Sequence, residues 1–220
     1  MTIDLVQFDH IAGVPIHYAR SPVAPYGTIG KKRNVRLERN FRLELAACLA
    51  DLWITCPWGK PEALVSGGCY VEKAGRHGEG RAIDIDAIWW KGHQPFITKQ
   101  APNDTIRYLA IEAILRKHFG TVLDFWFGHG HEDHFHVDNG QPQGWTGKPP
   151  TLHAETLFLQ SALRLVHGLD IGPTGIDGIL GNATRNAFSS VMSKSAPFSI
   201  KDAWNNFLDL TASFAFAQLL

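Results

Sequence analysis

"TVLDFWFGHGHEDHFHVD", residues 121–138, reads as two short strands around a turn. TVLDFWF (121–127) and HFHVD (134–138) are rich in β-branched and aromatic residues, and the Gly/His run GHGHED joins them. In a strand, His134 and His136 project to one face while Phe135 and Val137 pack behind. Residues 131–138 hold three histidines and three acidic residues, in a chain with 11 histidines altogether. A buried strand would be expensive to desolvate with that cluster on it. The hairpin is therefore both a sheet element and a candidate site.

The neighbouring segments extend the pattern. RAIDIDAIWW (81–90) alternates, with Ile83 and Ile85 facing one way and Ala82, Asp84 and Asp86 the other. ALVSGGCYV (63–71) reads as a strand bent at Gly67 and Gly68. RLERNFRLELAACLADLW (36–53) spaces Phe41, Leu45, Cys48, Leu49, Leu52 and Trp53 as one helix face. NDTIRYLAIEAILRKHFG (103–120) is the clearest helix: Asn103 or Asp104 caps it, Lys117 and His118 suit its negative end, and Gly120 terminates it. The expectation is an α+β domain, a small antiparallel sheet with flanking helices, over residues 1–145. NGQPQGWTGKPP (139–150) has linker composition. Helical patterns at 155–168, 182–192 and 201–220 then predict a small three-helix domain over 152–220.

Composition narrows the class. Hydrophobic content of 45% and aromatic content of 11% over 220 residues fill a globular core. Lys+Arg and Asp+Glu are both 21, so the net charge gives no support for a nucleic-acid partner. No apolar run reaches the roughly 18 residues of a membrane helix; the tail NNFLDLTASFAFAQLL is an amphipathic helix over a core. The amino terminus, MTIDLVQFDH, carries no basic-then-apolar signal pattern, so synthesis in the cytoplasm without a signal peptide is expected. A monomer is expected. For Cys48, Cys56 and Cys69, three buried thiols is preferred to one disulfide plus a free thiol.

The chemistry is carried by two stretches. In RHGEGRAIDID (76–86), His77 and Asp84 stand seven apart across Gly78, Gly80 and Ala82, and in DHFHVD two imidazoles share a face. A hydrolytic zinc site needs three His or carboxylate ligands and one open position for water. It also needs a nearby carboxylate to take the water's proton and pass it to the leaving amine. Asp86 and Asp138, one strand pitch beyond a proposed ligand, are either acceptors orienting an imidazole or polar strand ends. His10, His17, His93, His118, His153 and His167 are given no role.

HGEGRAID resembles the His-x-x-Gly-x-Ala-x-Asp motif of the zinc D-Ala-D-Ala carboxypeptidase and L-Ala-D-Glu peptidase superfamily, and DHFH resembles its second motif, Asp-His-x-His. FGTVLDFWFGHGHEDHFHVD (119–138) is similar to the extensin-like carboxy-terminal family within it. The resemblance covers roughly residues 40–138. It implies His77, Asp84 and His136 as ligands of one Zn2+ per chain, Asp133 as general base and His134 as stabiliser of the oxyanion. Strict alternation would set Asp133 opposite His134, so Asp133 must sit in the turn before the strand. Gly75 stands where family members commonly carry Ser. The family's arginine on the preceding strand has Lys73 and Arg76 as stand-ins for substrate binding, which leaves exopeptidase and endopeptidase action both open.

LFLQSALRLVHGLDIGPTGIDGILGNATRNAFSSV (157–191) resembles a three-helix peptidoglycan-binding domain through Leu159, Gln160, Leu163, Gly175, Asp177, Gly178, Gly181, Thr184 and Ala187. Physically, Asp177 and Gly178 form a turn, Asn182 caps the next helix and Ala187 permits close packing. The two resemblances together imply a zinc peptidase acting on an amide bond of the peptidoglycan stem or cross-link. It would be released by a holin or delivered by a specialised secretion system, with a delivery or immunity partner. Two other readings stand beside it. One is a non-catalytic wall-binding protein whose zinc site is structural or degenerate, closed by His129 or His131. The other is a different metal-dependent hydrolase or binding fold using the same ligands.

Overall fold

The computed structural model describes residues 3–128, 130–145, 152–192 and 200–220. His129 and residues 146–150 of the expected linker lie outside the described residues. The chain runs β1 (Leu5–Phe8), β2 (His10–Ile11), β3 (Val14–Tyr18), β4 (Lys31–Lys32), β5 (Val35–Glu38), α1 (Arg39–Thr55), β6 (Ala63–Gly68) and β7 (Ala82–Trp89). It continues through β8 (Phe96–Ile97), α2 (Thr105–His118), β9 (Thr121–Leu123), β10 (Phe135–Asp138), α3 (Leu152–Ser161), α4 (Asn182–Met192) and α5 (Ile200–Ala217). It is a mixed α+β fold with a multi-stranded sheet and several helices.

The main sheet has the order β2-β3-β6-β7-β10-β9, with β4 on β3 and β8 on β7; β1 and β5 form a separate ribbon. The expectation of a purely antiparallel sheet is corrected at one place: β3 and β6 pair in parallel, Ile16 with Leu64 and His17 with Val65. The chain between them includes α1, and a helical crossover of this kind is what joins parallel neighbours. Ile83 and Ile85 of β7 and Phe135 and Val137 of β10 are fully buried on one face, against Phe41, Leu45 and Leu49 of α1 and Leu109 and Ala113 of α2. Asp84, Asp86 and His136, out of phase with them, take the other face. The placing of Ile83 and Ile85 opposite Asp84 and Asp86 holds, but a register shift at Val65–Ser66 then changes the phase, so that Ile88 and Trp90 join the main core and Ala87 lies with Ala19 and Val65.

Other local expectations shift. Arg36–Glu38 belong to β5, not to the helix, because they pair with β1. The Glu38 carboxylate then caps α1, accepting from the Asn40 and Phe41 amides at 3.0 and 2.9 Å. The strand expected over 121–127 stops at Leu123. There the Asp124 carboxylate accepts from Phe127 N at 2.7 Å and turns Phe125–Phe127 into a 3-10 helix. Asp104 occupies the cap position of α2 without a capping bond, since its carboxylate is taken by Arg107 at 2.5 Å. Lys117 and His118 do lie in the last turn of α2, where both meet Asp51. Gly120 does not take up the left-handed C-cap; Phe119 ends the helix in extended backbone. Gly120 is needed for closeness instead, because a Cβ there would fall 2.2 Å from the Pro142 carbonyl oxygen.

The carboxy-terminal helices pack on the same structure. α5 lies along α2, and Lys117 bridges Asp51 at 3.1 Å and Asp209 at 2.8 Å. Arg116, buried in α2, pairs with Glu112 and Asp124 and donates to the Ala154 carbonyl of α3. One buried apolar cluster contains residues of the sheet, α1 and α2 together with Phe158, Leu163, Trp204, Phe207 and Leu208. The Gln160 side chain organises the Asp177–Gly178 turn. Its oxygen accepts from both amides at 3.0 and 2.8 Å, its nitrogen donates to the Asp177 carboxylate at 2.8 Å, and Gly178 has φ 71°. Asn182 is the first residue of α4 rather than its cap; the cap is Gly181, whose carbonyl accepts from Arg185 N. The three cysteines are free and buried. No described helix is long and apolar enough to cross a membrane.

Candidate metal centre

Register builds the centre. Asp84, in mid-β7, has His136 as its cross-strand neighbour in β10 and Gly68 as its neighbour in β6. Opposed side chains in a sheet meet closely, so the strand pairing alone sets a carboxylate against an imidazole. On the other side Gly68 leaves room: a Cβ there would lie 2.7 Å from Asp84 Oδ2. His77 reaches the same point from the loop between β6 and β7. The Cys69 carbonyl orients it, accepting from His77 Nδ1 at 2.7 Å.

Three atoms converge. His77 Nε2 stands 3.2 Å from Asp84 Oδ1 and 3.2 Å from His136 Nδ1, and His136 Nδ1 stands 3.1 Å from Asp84 Oδ1. Donors held about 2.0–2.1 Å from a tetrahedral ion are about 3.3–3.4 Å apart, so the triangle fits one such ion closely. The outward nitrogens are both engaged, His77 Nδ1 by the Cys69 carbonyl and His136 Nε2 by Asp138 Oδ2 at 3.1 Å. That fixes the ring orientations and aims a lone pair from each imidazole into the triangle. Among the described residues this His/Asp/His group is geometrically compatible with metal coordination. Of the two proposed orienting acids, Asp138 has that role and Asp86 does not.

The charges follow from the contacts. Burial acts to raise the Asp84 carboxyl, but hydrogen bonds to His136 and His77 outweigh it and hold it well below the usual range. Burial opposes the His136 imidazolium, yet Asp138 and Asp84 prevail and push it up to about 9 in the metal-free chain. For His131, burial lowers the imidazole further than its Gly128 contact raises it. Its ring centroid lies 5.2 Å from that of His134 and 5.8 Å from that of His136, outside the donor triangle.

Asp133 lies in the turn before β10, as the alternation argument required, and the strand expected from His134 begins at Phe135. Its Oδ1 accepts from His134 Nδ1 at 2.7 Å, and the other nitrogen of His134 stands 3.5 Å from Asp84 Oδ1. The sequence did not disclose Arg20. Its guanidinium grips Asp86 through Nε and Nη2 at 2.7 and 2.8 Å and donates through Nη1 to Asp133 Oδ2 at 2.9 Å. Burial pushes the Asp133 carboxyl up, while His134 and Arg20 draw it down to a net lowering. Tyr26 adds a third hold, donating to the Asp133 carbonyl at 2.6 Å. Gly67 leaves the space for this, since a Cβ there would fall 2.6 Å from Arg20 Nε. Arg20 lies 113 positions before Asp133, in a loop with no periodic pattern, so no local signal marks it.

Neither stand-in proposed for substrate binding lines the cleft beside Asp133. Lys73 is exposed in the loop before His77, and its carbonyl oxygen packs against Gly78. Arg76 pairs with Glu79 at 2.6 Å. The open cleft beside Asp133, about 490 Å³, is lined instead by Arg20, Ser21, Pro22, Pro25, Tyr26 and Lys99.

The fold and site define a mixed α+β protein with a three-donor cluster geometrically compatible with metal coordination. Comparison with protein-family models, with curated proteins and with solved structures yields no match.

Proposed function

We propose that the protein is a zinc-dependent peptidase that hydrolyses an amide bond in the stem peptide or cross-link of peptidoglycan. The observation that carries this reading is an ionised acid, Asp133, held beside a three-donor triangle that leaves a tetrahedral ion one open position. A purely structural ion calls for a fourth protein donor. Among the described residues, His131 is not part of the group of donors that lie within 4.8 Å of one another, which supports an open fourth position. The choice of zinc rests on the two-imidazole, one-carboxylate set. The choice of peptidoglycan rests on the resemblance of the motifs at 77–84 and 133–136 and of the helical segment 157–191. A peptidase domain over 1–145, a wall-binding module over 152–220 and release by a holin or a specialised secretion system belong to the same proposal.

Bound zinc supplies Lewis acidity at the scissile carbonyl and brings the pKa of a water toward about 7. Asp133 takes the proton from the attacking water and returns it to the departing amine. Arg20 and Tyr26 hold Asp133 in place for both transfers. His134, fixed through Nδ1 by Asp133, presents its other nitrogen toward the developing oxyanion.

Digestion of purified peptidoglycan, with mass analysis of the products, tests the reading. Zinc-loaded wild type should release new amine and carboxyl termini, and Asp133→Asn or a chelator should abolish the release. Unchanged muropeptides across several wall chemistries would refute the peptidase reading.

A further inference from the structure

A second concave surface shares a wall with the metal centre. It is a groove of about 210 Å³ between residues 33–36 and the end of β6, lined by Arg33, Arg36, Ser66, Gly68, Cys69 and Tyr70 among others. Gly68 abuts the Asp84 carboxylate, and the carbonyl of Cys69 holds His77. The groove and the donor triangle are therefore joined through Gly68 and Cys69. The volume is below the roughly 300–1,000 Å³ that encloses a whole small ligand, so the groove suits one residue of a longer substrate.

The groove carries two arginines. Arg20, Arg39, Arg76, Arg107 and Arg116 each meet a carboxylate. Among the described residues, Arg33 and Arg36 make no ion pair; both stack on tyrosines instead. Arg33 lies over Tyr18 at 4.6 Å and Arg36 over Tyr70 at 4.7 Å. Stacking uses the face of a guanidinium and leaves its N–H edge for a planar anion. The backbone is anchored too: Arg33 N donates to the Ile16 carbonyl at 2.9 Å, and Tyr70 N donates to the Arg36 carbonyl at 3.2 Å, tying the two walls together. Two oriented guanidinium forks with no internal acid, in a groove bordering a hydrolytic centre, match a carboxylate of the substrate.

We infer that Arg33 and Arg36 form an anion subsite that binds a free carboxylate of an acidic peptide substrate close to the scissile bond. The inference rests on the peptidase reading above and supplies its substrate class. Lys73 and Arg76, the candidates from sequence, lie on the loop before His77 and do not line this groove.

The test uses the zinc-loaded full chain and two probes: a stem tetrapeptide with free carboxylates and the same peptide with its carboxylates amidated. Wild type should favour the free acid. Arg33→Gln with Arg36→Gln should raise KM for the free acid about tenfold, as loss of a charge-assisted hydrogen bond does. It should leave kcat, and KM for the amidated peptide, within about twofold. Arg33→Lys with Arg36→Lys, which keeps the charge, should recover part of the loss and covers the case of a misfolded glutamine variant. Equal losses on both peptides, or no loss on either, would overturn the inference. If wild type cleaves neither peptide, the muropeptide digest decides the peptidase reading, and calorimetric binding of the same two probes decides the subsite. Selective, arginine-dependent binding of the free acid supports it, whereas absent or charge-blind binding overturns it.

Discussion

Without a bound ion, His136 is a pH-dependent element of stability. In the metal-free chain its side chain is only 14% exposed and sits 3.1 Å from both Asp84 and Asp138. Burial opposes its charge, but the two carboxylates raise it from 6.5 to about 9. At about 1.4 kcal/mol per unit, that shift is worth on the order of 3 kcal/mol. Because the folded value is raised, this contribution is whole below pH 6.5 and is lost as pH rises through 9. The depressed carboxyls of Asp84 and Asp138 act only at acid pH, so they add no slope in this window. For a chain of this size about 1 kcal/mol moves the unfolding midpoint by about 2–4 °C, which makes the expected fall about 6–12 °C. Zinc-loaded protein should lack this fall, since a ligand imidazole is already neutral. Its zinc affinity should instead rise about tenfold per pH unit up to pH 9 as the competing proton is removed. The assay is thermal unfolding at pH 6.5–9.5, in chelator and in zinc, for wild type and His136→Gln, which lacks the titrating ring. A metal-free wild type that tracks His136→Gln across the whole window would refute the reasoning.

Three further outcomes follow from contacts at and behind the site. Asp138→Ala removes the acceptor that aims His136 and should weaken zinc binding about 10–100-fold in a chelator competition; unchanged affinity would deny Asp138 that role. Gly68→Ala places a methyl 2.7 Å from Asp84 Oδ2, on a carboxylate that two imidazoles hold through Oδ1, so zinc occupancy should drop while the far-ultraviolet circular dichroism stays constant. Full occupancy in that variant would show that Asp84 can yield. Arg116→Met strands Glu112 and Asp124 in a fully buried position and should destabilise the chain by about 3–5 kcal/mol in denaturant unfolding. A loss under about 1 kcal/mol would mean that the two acids protonate without strain.

Where one residue's neighbours are set by short-range periodicity, sequence and structure agree. Alternation in 81–90 placed Ile83 and Ile85 in the core and Asp84 and Asp86 opposite, and the same argument put Asp133 in the turn ahead of β10. Helical spacing in 36–53 named the buried face of α1 correctly, yet it ran the helix three residues too far back. Pairing with β1, a partner some 30 residues away, drew Arg36–Glu38 into a strand. The early strands β1–β4 carry too few residues for a period to show. Asp124 ended β9 through a side-chain-to-backbone bond that competes with the ladder.

By itself, the sequence determined which residue types could hold a metal and which strand face each occupied, because periods of 2 and 3.6 residues are local properties of the backbone. It also set the order of the elements and the spacing of His77, Asp84, Asp133 and His136. Tertiary structure alone decided that Asp84 and His136 are cross-strand partners, that Gly68 makes room for Asp84 and that Gly67 makes room for Arg20. It likewise decided that Arg20 anchors Asp133, and that Arg33 and Arg36, stacked on Tyr18 and Tyr70, line a groove together with Gly68. The physical reason is range. A side chain's charge and hydrogen bonds act within a few ångströms, and folding brings together residues that the chain separates by dozens of positions.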